Sequence, residues 1–118
     1  MNTEEFVEAI RRHVRQGCIE SVIAVLENVP GRRRPQNRQQ RSTWFRSLDP
    51  ENRRYVEEVV AAAVDATIFH LFCVLDGVGA IEDGPDKGTF ELRYHGKTDE
   101  ILSPSDGDFL HDLYRSRE

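Results

Sequence analysis

A chain of 118 residues with a net charge of −5 is sized for one domain and can fold without a metal or a disulfide. Its composition, 38% hydrophobic and 31% charged, is that of an ordinary soluble protein on the polar side, and a pI near 5.4 argues against a dedicated nucleic-acid binder. The opening MNTEEFVEAIRRH is acidic and amphipathic rather than a secretory leader, and the longest apolar run, Ile68 to Leu75, falls short of the roughly 20 residues a bilayer helix needs. Both points lead us to expect a cytoplasmic protein without membrane contact, in which Cys18 and Cys73 are free thiols.

Residues 3–16 read as an amphipathic helix capped by Thr3, with Phe6, Ile10 and Val14 in one stripe and Gly17 as its C-terminal stop. A second helix is expected over 18–28, carried by Ile19, Val22, Ile23 and Leu26 and ended by Pro30-Gly31. Residues 31–42 hold no apolar side chain, which predicts an exposed Arg-rich loop. A short turn should then bury Trp44, Phe45 and Leu48, with Trp44 anchoring the loop.

Asp49-Pro50-Glu51 is a strong helix start, and helical spacing continues from Val56 to Leu75. From Ala61 onward this helix is apolar nearly all round, which predicts a central, buried element stopped by Asp76-Gly77. The rival is a break near Asp65 with a buried strand over 67–75. Next come a short strand over 78–82, a turn over 83–88, and a strand over 89–95 whose Phe90, Leu92 and Tyr94 share one face. Gly96-Lys97 turns the chain and 100–102 returns it, giving a small antiparallel meander. Ser105 to Asp108 looks like a capping box for a closing helix that packs Phe109, Leu110, Leu113 and Tyr114. The expected fold is therefore α+β: a single domain over 1–118, mostly helical, with a long central helix and a small β-meander near the C-terminus.

Motifs for chemistry are weak. His70 and Cys73 lie one helical turn apart, but no second ligand pair completes a zinc site. The stretch from Asp83 to Gly88 places Pro85 and Lys87 where a calcium loop needs oxygen ligands. There is no GxSxG, and adjacent side chains such as His111 and Asp112 diverge by about 100° on a helix, too far to form a relay alone. We expect no catalytic residue, no metal and no cofactor.

The charge is unevenly distributed. Residues 31–54 hold eight arginines against two acids, a net +6, whereas residues 76–118 hold five basic and eleven acidic side chains, a net −6. Opposite halves of this kind can attract each other within a chain or between copies, so a homodimer is compatible with the sequence.

The stretches IFHLFCVLDGVGAIED, GTFELRYHG and FLHDLY resemble a group of small bacterial proteins with a helical N-terminal half, a hairpin and a closing helix. These look like the cytosolic proteins encoded beside polymorphic toxins, some of which act as immunity proteins. The resemblance covers roughly the last 50 residues and implies a non-enzymatic protein that neutralises a cognate toxin by covering its active site. It carries over no catalytic residue. On this reading, Glu82, Asp83, Asp86, Asp99, Glu100, Asp106 and Asp108 would meet a basic partner. The alternative is a nucleic-acid-associated regulator working through Arg32, Arg33, Arg34, Arg38 and Arg41.

Overall fold

The computed structural model describes residues 1–116. The chain is α+β, and its backbone divides into two compact units. Residues 1–14 together with 66 onward form the first, and residues 15–65 form the second.

Helical backbone begins at Thr3. Asn2, not Thr3, is the N-cap: its side-chain oxygen accepts the Glu5 N–H at 2.8 Å. The element α1 (Thr3–Ala9) passes into a π-helical stretch over Ile10–Arg15 and then into α2 (Gln16–Glu27). The stop expected at Gly17 is therefore wrong. Gly17 lies inside α2 and is not among the glycines with positive φ. A glycine in a helix costs only about 1 kcal/mol, and the surrounding apolar spacing outweighs it.

In the first unit, α1 packs against a closing helix α5 (Leu110–Arg115) and a hairpin of β1 (Leu92–His95) and β2 (Asp99–Ser103). The hairpin is antiparallel, pairing His95 with Asp99 and Arg93 with Ile101, and an irregularity follows Leu92. The Thr3 hydroxyl donates to the Leu102 carbonyl at 3.0 Å, tying the start of α1 to β2. The core consists of Val7, Ile68, Phe72, Leu102, Leu110 and Tyr114. Phe72 sits at its centre, with ring centroids 6.1 Å from Phe6 and 5.7 Å from Tyr114, both in tilted or edge geometry. The Arg11 guanidinium covers the other side of Tyr114, 4.3 Å from the ring centroid.

Two strand expectations fail in this unit. Residues 78–82 form no strand, so the meander reduces to a two-stranded hairpin. The Phe90-Leu92-Tyr94 face is not a buried one either: Phe90 is 46% and Tyr94 37% exposed, and only Leu92 is half-buried. Alternation shows that one face of a strand is apolar. Whether anything covers that face depends on neighbours the pattern does not contain.

The second unit packs α2 against α3 (Gln36–Ser47), which corrects the loop expected over 31–42. Residues 31–41 are exposed, as expected, but from Gln36 onward they are helical. Pro35 stands at the N-cap, and the Gln, Asn and Arg that follow need no apolar stripe, because Ser42 and Phe45 alone form the buried contact. Before α3, Gly31 takes φ 89°, and the Arg34 Nε–H donates back to its carbonyl at 3.2 Å.

The long helix α4 (Pro50–Leu75) begins where Asp49-Pro50 predicted, with the Asp49 carboxylate accepting the Asn52 N–H at 2.8 Å. It is helical through 67–75, so the rival strand is excluded. It is not the buried element expected, however. Ile68 and Phe72 are its only buried residues, and Val59 is 68% and Leu71 55% exposed. By length and composition, this one helix is long and apolar enough to cross a membrane, which counting the uninterrupted apolar run alone had missed. Two bonds hold its N-terminal half within the second unit. Arg15 and Asp65 form a two-pronged ion pair at 2.7 and 3.2 Å, and the Arg53 side chain donates to the Arg46 carbonyl at 2.6 Å.

Candidate interaction surface

Two features of the structure bear on function: a buried polar knot in the first unit and an apolar groove in the second.

The knot is centred on Asp76. Gly77 ends α4 with φ 82°, and the Val78 and Gly79 N–H groups both return to the Cys73 carbonyl at 2.9 Å, which turns Asp76 inward. Its carboxylate accepts the Ser103 hydroxyl at 2.6 Å, the His111 backbone N–H at 2.9 Å, and lies 2.6 Å from His111 Nδ1. The imidazole is stacked on Phe109 and meets the edge of Phe69. Its Nε2 lies 3.3 Å from the Asp112 carboxylate, closer than the divergence expected for neighbouring residues on a helix. These residue types suggest a Ser-His-Asp triad, but their order in space is different. The hydroxyl bonds the carboxylate rather than the imidazole, so His111 is not placed to take its proton, and Ser103 is fully buried. The knot joins the end of α4, strand β2 and helix α5.

Cys73 lies beside this knot and is half-buried, while Cys18 is exposed. Burial, and then the Asp76 carboxylate, push the Cys73 thiol above its ordinary range; Asp112 adds to this and Arg115 opposes it. A raised thiol pKa favours the protonated form, so its contribution to stability is intact at neutral pH and is lost only as pH rises through the alkaline range. The thiolate is the reactive species. Cys18 should therefore label first with a thiol reagent near pH 8 and Cys73 markedly later, with the two rates converging in denaturant. Equal native rates would contradict this assignment.

The groove lies between α3 and α4, open to solvent, with a volume of about 420 Å³. Leu48, Val56 and Val60 line it, and Trp44, Tyr55 and Val59 stand at its edges. Trp44 and Tyr55 are 51% and 50% exposed, so the turn expected to bury Trp44 is corrected: Phe45 goes in at 2% exposure, Leu48 is half-buried, and Trp44 stays out. Neighbouring residues on a helix point about 100° apart, and the Arg53 guanidinium of α4 lies 5.9 Å over the buried Phe45 ring. The Arg54 guanidinium sits 5.3 Å over the Tyr55 ring, and Arg41 and Arg46 are exposed on α3. From residue 28 to 48 the chain has six arginines and no acid.

The acidic candidates are not brought together into one site. Glu82, Asp83 and Asp86 lie on the exposed segment after α4, where Glu82 accepts the Gly88 N–H at 3.0 Å. Asp99 pairs with His95 at 3.3 Å on the hairpin, Glu100 is half-buried 3.8 Å from the chain's amino group, and Asp106 and Asp108 are exposed before α5. Of the basic candidates, Arg32, Arg33 and Arg34 precede α3, while Arg38 and Arg41 ride on it. Among the described residues, no group of three His, Cys, Asp or Glu side chains is arranged to hold a metal ion. Sequence reading missed the groove, although Asn52, Tyr55, Val59 and Ala62 repeat at alternating steps of three and four, the spacing of a helix seam. All four are exposed.

The chain matches no family model, no curated protein and no solved structure.

Proposed function

We propose that this chain is a protein-binding domain with the α3–α4 groove as its docking surface. The observation that carries this reading is Trp44 and Tyr55, each half-exposed, lining an apolar trough with Leu48, Val56, Val59 and Val60. Trp, Tyr and Arg are the side chains that dominate binding energy at protein interfaces, where they anchor in desolvated apolar pockets. An immunity-type role, which the C-terminal wording implies, is the particular form in which the partner is a toxin whose active site is covered. Its acidic contacts lie in the first unit, which carries seven basic and fourteen acidic side chains, a net −7, suited to steering toward a basic surface.

A second reading, a nucleic-acid-associated regulator, is favoured by one observation: α3 carries Arg38 and Arg41 on an exposed helix with Trp44. Two titrations separate the readings. Trp44 is the only tryptophan, so its emission reports on the groove directly. An acidic amphipathic peptide should shift that emission, and Val59→Lys should abolish the shift. RNA and DNA should bind no tighter than roughly 10⁻⁴ to 10⁻⁶ M at physiological salt. Tighter, steeply salt-dependent binding that disappears when Arg32, Arg33 and Arg34 become Ala would transfer the assignment to the second reading.

A further inference from the structure

We infer that the second unit holds a binding site for a tetrahedral oxyanion, a phosphate or a phosphomonoester group, in a small polar cavity between the end of α2 and the middle of α3. The site is separate from the α3–α4 groove, and the inference does not rest on the reading of that groove.

The cavity has a volume of about 140 Å³. Val29 and Ser42 are its buried lining, and Asn28, Arg34, Thr43 and Arg46 line it from exposed positions. Ser42 is the observation that points to a ligand. It is 2% exposed, and its hydroxyl has no hydrogen-bond partner among the described residues. A serine inside a helix ordinarily returns its hydroxyl to a carbonyl three or four residues back. Ser42 does not, and a buried hydroxyl without a partner has given up its hydration for nothing. An acceptor atom held in the cavity would supply the missing bond.

The charge around Ser42 says what kind of acceptor. From residue 28 to 48 the chain has six arginines and no acid, and two of those arginines line the cavity. Each is tied back through Nε. The Arg34 Nε–H donates to the Gly31 carbonyl at 3.2 Å, and the Arg46 Nε–H donates to the Ser42 carbonyl at 3.4 Å. The terminal N–H groups of both guanidiniums are left for a ligand. The Gln39 side-chain amide donates to the Arg34 carbonyl at 2.7 Å, which fixes the connection against α3. The arginines are thus partly ordered before an ion arrives, and less ordering has to accompany binding.

Shape and size select a phosphate over a carboxylate. A carboxylate has two oxygens in one plane, and a single arginine fork satisfies it. The donors of this cavity come from three stretches: Asn28 at the end of α2, Arg34 in the connection, and Ser42, Thr43 and Arg46 on α3. A phosphomonoester, with three strong acceptor oxygens pointing in different directions, can use all of them. At about 30 Å³ for a water-sized group, the cavity has room for about five non-hydrogen atoms, the number in a phosphate ion.

The test is calorimetric titration of the full chain at constant ionic strength, which removes general screening. The titrants are inorganic phosphate, phenyl phosphate, dimethyl phosphate and acetate. Inorganic phosphate and phenyl phosphate should bind saturably at one site, and the tighter of the two shows whether the free ion or an organic monoester is the better ligand. Acetate and dimethyl phosphate should bind at least about tenfold more weakly, since each offers only two open oxygens. Arg34→Ala, Arg46→Ala and Ser42→Ala should each weaken phosphate binding by at least about tenfold, the loss of one charge-assisted hydrogen bond. Arg38→Ala, outside the cavity, should leave it unchanged. Ser42→Ala carries a second readout. Without phosphate its thermal midpoint should be no lower than that of the wild type, because the lost hydroxyl had no bond to break, and phosphate should raise the midpoint of the wild type alone. Absence of saturable phosphate binding overturns the inference and leaves the cavity to water. A Ser42→Ala chain that is destabilised without phosphate overturns it as well, by showing that the hydroxyl has a structural partner. Equal losses in Arg38→Ala and Arg34→Ala would reduce the site to a diffuse basic field, and dimethyl phosphate bound as tightly as phosphate would transfer it to the nucleic-acid reading.

Discussion

Phe72→Ala should lower stability by about 3–5 kcal/mol, the range for truncating a buried phenylalanine. Phe72 is 2% exposed and its ring meets those of Phe6 and Tyr114, so the change removes its transfer energy and leaves a cavity bounded by two rings that cannot collapse into it. A domain of this size is stable by only about 5–15 kcal/mol, so the variant should be barely folded at room temperature. Arg38→Ala is the matched control: Arg38 is exposed on α3, and surface changes of this kind stay within about 0.5 kcal/mol. Urea melts of the two variants measure the contrast. If Arg38→Ala proved as damaging as Phe72→Ala, the arginines of α3 would be structural partners rather than surface groups.

Asp76→Ala should be as damaging, at about 3–5 kcal/mol, for a different reason. Its side chain is completely buried and accepts from Ser103 and from the His111 backbone and faces the His111 ring. Removing the acceptor strands buried donors, and breaking a buried charge-assisted contact by deleting one partner typically costs this much. Ser103→Ala removes a donor and leaves a carboxylate with its other contacts, so it should cost about 1–2 kcal/mol. The diagnostic measurement is the double variant. With Asp76 already Ala, Ser103→Ala should cost almost nothing further, because the bond it would break is gone. Additive costs would show that the two residues act independently and that the knot is not one network.

Local chemistry was enough to set several elements. Asp49-Pro50-Glu51 starts a helix because a short acceptor at the N-cap and a proline at the first position suit a helix N-terminus in any context, and the Asp49–Asn52 bond follows from those residues alone. Asp76-Gly77 stops the same helix because glycine takes the left-handed conformation the stop needs. The hairpin about Gly96-Lys97 was equally legible, as was the division of charge along the chain.

Other features were decided only by tertiary packing. Trp44 and Phe45 are adjacent aromatics of similar hydrophobicity, and nothing in their order shows which is buried; the packing of α3 against its neighbours, with Arg53 of α4 over the Phe45 ring, buries Phe45 and leaves Trp44 half-exposed. The helicity of Gln36–Ser47 was hidden because a helix held by a single buried strip around Ser42 and Phe45 shows no apolar period. The apolar run of α4 was read as buried because burial is the usual destination of such a run, yet a sequence records only that a face is apolar, and what covers it is a property of neighbours distant in the chain. The same holds for the knot. Asp76 meets Ser103 and His111 across 27 and 35 residues, a separation at which no local rule operates, and their hydrogen bonds exist only once β2 and α5 have packed against the end of α4.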